Sequence, residues 1–132
     1  MPNVNAQPIS LTSGPQLIAG DVVMGLAALT GLNASGPLTA HAGGTQALAT
    51  QLVNGLNEVG TTATNNDSVQ LPLALPGTVV FVANSGAATL AVYGRYGSSD
   101  TIDGTAGATG TTQTTGVDNL YFCAAAGRWR KL

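Results

Sequence analysis

The sequence predicts an all-β fold, and three observations carry that expectation. Short segments in the C-terminal half either alternate apolar with polar residues or run β-branched and apolar. Turn residues punctuate them every ~8–12 residues, as in a β-sandwich or barrel. The two earlier stretches with helical spacing are interrupted by glycines, each costing about 1 kcal/mol against Ala in a helix.

From the start, Met1 to Pro15 (MPNVNAQPISLTSGP) is polar and turn-rich. It reads as an extended arm that drapes over a neighbour, or as a plain disordered lead-in. In Leu17 to Leu32 the residues Leu17, Ile18, Val22, Val23, Leu26 and Leu29 make a helical stripe, weakened by Gly20, Gly25 and Gly31. A short helix and two short strands both fit. Asn33 to Gly44 reads as loop, with Pro37 and Gly43-Gly44 as breakers. Thr45 to Thr64 has two readings: Leu48, Leu52, Val53 and Leu56 suit a helix, but Gly55, Gly60 and the threonines oppose a long one, and strands are the expectation. The expected organisation is an arm and lead-in over 1–37 and one β-sandwich domain over 38–132.

Val69 to Leu75 (VQLPLAL) alternates, and Pro72 lacks a donor, which predicts an edge strand. Pro76-Gly77 turns the chain. Thr78 to Asn84 (TVVFVAN) has the apolar, β-branched character of a central strand. Leu90 to Tyr96 alternates again. Asn119 to Ala124 is a further apolar strand, and Arg128 to Leu132 closes the sheet. Gly104 to Gly116 (GTAGATGTTQTTG) is low in complexity and reads as a long loop.

Composition limits what such a domain does. The chain has 132 residues, 44% hydrophobic but only 8% charged, with a formal net charge of −2. Ordinary domains carry about 25% charged residues. With so little charge repulsion, association with other proteins is easy. No basic field exists for a nucleic acid. The apolar stretch Leu17 to Leu32 is shorter than the ~20 residues a membrane span needs. The start shows no targeting peptide, so synthesis and assembly in a cytoplasm are expected.

The chemistry-bearing residues are few. One cysteine, Cys123, and one histidine, His41, exclude a disulfide scaffold and a zinc site. Cys123 sits in an apolar run and reads as core filling; His41 reads as an exposed loop residue. Asp100 and Asp103 lie among hydroxyls, but the alternating carboxylates and distal Glu of a calcium loop are missing. Asp103-Gly104 is a turn pair. Glu58 is the sole glutamate, and glycoside hydrolysis needs paired carboxylates. No enzyme activity and no cofactor are expected. Arg128, Trp129, Arg130 and Lys131 read either as a terminal strand charged against edge pairing or as an interface anchor. Tyr93, Arg95 and Tyr96 read as a second contact patch or as ordinary sheet face.

The C-terminal half carries a series of features in order. Val69-Gln70-Leu71-Pro72 precedes Pro76-Gly77, and Val79-Val80-Phe81-Val82 runs into Asn84-Ser85-Gly86. Leu90-Ala91-Val92-Tyr93, Asp100-Thr101-Ile102-Asp103-Gly104, Leu120-Tyr121-Phe122-Cys123 and Ala126-Gly127-Arg128-Trp129 follow. In that order and spacing, Leu38 to Leu132 resembles small structural proteins of tailed bacteriophages, in particular the head-decoration or cement group. Similar modules occur in phage tail and fibre components. The resemblance implies a β-sandwich or jelly-roll body and homo-oligomers, dimer or trimer. It also implies seating where major capsid protein subunits meet, on the outer surface of the virion head. The contact residues expected are Val4, Ile9 and Leu11 in the arm, Tyr93 and Tyr96, and Arg128, Trp129, Arg130 and Lys131 in the tail.

Overall fold

In the computed structural model the described residues are 33–132. The expected arm contacts Val4, Ile9 and Leu11 and the ambiguous stretch Leu17 to Leu32 lie outside them. The fold is all-β. Its strands are β1 (Asn33–Thr39), β2 (Thr50–Gln51), β3 (Gly55–Thr61), β4 (Asp67–Gln70), β5 (Val79–Asn84), β6 (Leu90–Tyr93), β7 (Thr101–Ile102), β8 (Thr105–Ala106), β9 (Thr111–Gln113), β10 (Asp118–Ala125) and β11 (Arg128–Lys131). One 3-10 turn, Gln46–Leu48, precedes β2.

The strands form two sheets, ordered β1-β3-β5-β10-β11-β7-β8 and β2-β4-β6-β9. Up to β6 the chain changes sheet after every strand, and each strand pairs in parallel with the one two before it. Asn33 meets Gly55, Gly55 meets Val80, and Asp67 meets Leu90. These residues therefore form three stacked coils of a β-solenoid. A jelly roll builds its sheets from antiparallel neighbours, and the coil differs from it in that respect. Parallel neighbours need a long crossover, which here is a strand of the opposite sheet. β9 and β10 then run antiparallel to β6 and β5 and cap the last coil.

One core lies between the sheets. Val59, Val80, Val82, Tyr121, Cys123 and Trp129 from the larger sheet meet Val69, Leu90 and Val92 from the smaller, with Leu52 and Leu71 at the corners. Alternation makes this possible: Leu56, Glu58, Phe81 and Leu120 point away while their neighbours point in. The coil corners are pinned by buried amides and hydroxyls rather than by apolar packing. Asn57 donates to Val53, Gly55 and Phe81 carbonyls and accepts from the Val53 N–H. Thr62 and Asn84 both donate to the Ala88 carbonyl, tying the second coil to the third. Gly86 lies so close that a Cβ there would collide with the Thr62 backbone nitrogen.

Several sequence expectations change. Asn33 to Thr39, read as loop, is β1. The strand expected over Val69 to Leu75 stops at Gln70, and β4 is central, between β2 and β6. Pro72 offers no N–H, so the ladder ends there, and Leu73 and Leu75 are exposed. The expected loop Gly104 to Gly116 contains β8 and β9. The strands expected around Val79–Asn84, Asn119–Ala124 and Arg128–Leu132 are present, the first as an interior strand. Cys123 is buried, as core filling requires.

Candidate interaction surface

The two sheets treat their outer faces differently. The smaller sheet is covered by its own chain. Residues Ala40 to Ala49 lie over β4, where the Ser68 hydroxyl donates to the Gly43 carbonyl and the Gln70 amide to that of Ala49. Gln46 Nε2 donates to the Gly94 carbonyl at 2.9 Å, and Tyr93 Oη donates to Gly44 at 2.8 Å. With Val69 facing the core and Ser68 and Gln70 under this loop, all four residues of β4 are buried. Tyr93, expected as a contact residue, is half-buried and holds this covering loop in place.

The larger sheet has no such cover among the described residues. Its register aligns Ala34, Leu56, Phe81 and Leu120 across β1, β3, β5 and β10. Leu120 and Leu132 exchange backbone hydrogen bonds, which extends the row past β10. Leu56 is 46% exposed and Leu132 74%. On one side of this row stand Glu58, Ala83 and Asp118, in register. On the other stand Val79, Phe122 and Arg130, with Arg128 beyond. An open groove of about 270 Å³ runs between Ala34, Gly36, Leu56, Glu58, Phe81 and Ala83. The sequence reading missed this row. Its signal is the apolar run in β5 and β10, which an interior strand shows when both of its faces are apolar.

The C-terminal tail divides between inside and outside. Trp129 is 0% exposed and packs in the core, so it is no surface anchor. β11 alternates, which sends Arg128 and Arg130 outward. Arg130 pairs through Nε with Asp103 at 2.9 Å while remaining 64% exposed. Lys131 Nζ donates to Thr111 Oγ1. Tyr96, 59% exposed, lines a shallow cleft with Leu73, Arg95 and Ser98.

The titratable groups explain themselves structurally. Asp103-Gly104 is the two-residue turn between β7 and β8, with φ of 51° and 88°, the backbone of a type I′ hairpin. Asp100 is buried and accepts the Ala74 N–H at 2.9 Å. Asp67 is held down at about 2, first by the Thr64 hydroxyl and then by the Thr64 N–H, with desolvation opposing them and the Gly43 and Ala63 N–H groups adding less. Burial pushes the Tyr121 phenol above its ordinary range. His41 is half-buried, its backbone bridging Ser68. Among the described residues no three His, Cys, Asp or Glu side chains gather to hold a metal, and no helix is long and apolar enough to cross a membrane. The chain matches no protein-family model, no curated protein and no solved structure.

Proposed function

We propose that this chain is a virion structural protein that works by association: it decorates the outside of a phage head and binds across seams between major capsid protein subunits. The observation that carries the association reading is the apolar row on the larger sheet, which no described residue covers, on a chain poor in charge. A row of this kind in water is costly unless something covers it. The resemblance of Leu38 to Leu132 to head-decoration proteins supplies the capsid as partner. Affinity for the expanded shell alone would stabilise that state through differential binding.

A second reading, a tail or fibre module, is favoured by the coil. The cement resemblance implies a sandwich or jelly-roll body, whereas the parallel rungs here stack along one axis. Cosedimentation of the purified chain with expanded and unexpanded heads separates the two. The decoration reading expects the chain to pellet with expanded heads only. Recovery in the supernatant with both head forms would move the assignment to the tail or fibre.

A further inference from the structure

We propose that the outer face of the larger sheet binds a second copy of this chain, face to face, about a two-fold axis that runs along the apolar row. The inference rests on the association reading above, and it names what covers the row.

The asymmetry between the sheets is the first support. The outer face of the smaller sheet already uses its polar side chains to hold Ala40 to Ala49. The larger sheet presents Leu56, Phe81, Leu120 and Leu132 with nothing described above them.

The layout of charge is the second and selects the symmetry. Along the strand direction the face runs from acidic, through apolar, to basic. Glu58 and Asp118 flank the row on one side, and Arg128 and Arg130 on the other, where Asp103 offsets one of the two positive charges. An isologous dimer must place a patch against itself. A two-fold axis parallel to the strands would set acid over acid and base over base. An axis along the row sets the acidic flank of each copy over the basic flank of the other, and lays the apolar row on itself.

The register makes the pairing specific. Asp118 is on β10 and Arg130 on the adjacent β11, each two residues from the row and on opposite sides of it. Neighbouring strands are about 4.8 Å apart and packed sheets about 10 Å. After the two-fold turn, Arg130 of one copy stands one strand aside from Asp118 of the other, within reach of a guanidinium. Asp103 holds Arg130 through Nε, so the remaining donors of the fork stay free to meet a second carboxylate. Each dimer has this contact twice.

Sedimentation velocity of the full chain, without heads, tests the proposal separately from capsid binding. The wild type is expected to dimerise with rising concentration. Phe81→Asp should weaken the dimer at least about tenfold, with far-UV circular dichroism unchanged. Asp118→Lys and Arg130→Glu should each weaken it, and the double variant should recover most of the loss. A wild type monomeric at every concentration overturns the proposal, and so does a dimer indifferent to Phe81→Asp. A double variant no tighter than the weaker single variant overturns the axis.

Discussion

At the scale of single residues, the protein depends on buried polar side chains as much as on apolar ones. Asn57 is 1% exposed and uses both ends of its amide on coil backbone. Asn57→Ala strips partners from the part-buried Val53 N–H and from several carbonyls. It should cost about 2–3 kcal/mol by denaturant unfolding; a loss below about 0.5 kcal/mol, a surface-substitution value, would show that the corner is held otherwise. Asp67 makes stability depend on acid. Its folded pKa, about 2, lies below the 3.8 of a free aspartate. The stabilisation is therefore complete above the free-aspartate value and is lost as pH falls through the folded one. Thermal melts of Asp67→Asn should show a flatter pH dependence than wild type across that window. Identical slopes would remove Asp67 from the account.

At the scale of elements, β11 illustrates how one strand serves two surfaces. Trp129→Ala empties a core position and should lower stability by about 3–5 kcal/mol, whereas Arg128→Ala, on the exposed side, should stay within about 0.5 kcal/mol. Equal losses in chemical denaturation would contradict this division. The elements also show which signals the sequence carried. β5 and β10 were legible because β-branched and aromatic runs between turns have few other uses. The Asp103-Gly104 turn was legible because few pairs other than Asn-Gly or Asp-Gly accept two positive φ values cheaply. β1 was illegible: Asn33 to Thr39 contains Pro37 and the small residues Ala34, Ser35 and Gly36, and it is a strand because β3 offers a parallel partner. Val69 to Leu75 misled because alternation continues past Pro72, where the ladder stops. The coil itself left little trace. Its in-register pairs match Asn33 with Gly55 and Gly55 with Val80, so the rungs repeat in backbone geometry without repeating residue types. Trp129 read as an anchor because composition ranks residue types, whereas the parity of β11 decides which side they face.

At the scale of the whole molecule, stability should grade from the ends of the larger sheet to its middle. β5 has strands on both sides and lies over the core, while β8 is an exposed two-residue edge. Native-state hydrogen exchange should find the slowest amides in β3, β5 and β10 and much faster ones in β8. Uniform protection across the sheet would argue against a graded solenoid. The sparse charge belongs to this scale too: with 8% charged residues, the surface has little long-range repulsion to keep copies apart.

The antiparallel cap has a consequence for biosynthesis. Each coil, once made, is a template for the next, so β1 to β6 can assemble as the chain leaves the ribosome. β5 and β6 then present raw hydrogen-bonding edges, and these stay open until β9 and β10 have been translated. At about 5–20 residues per second that interval lasts seconds. During it, nascent chains on one polysome are each other's nearest templates. A chain terminated at Gly116 should therefore be recovered from translation largely in the insoluble fraction, where the full chain is not.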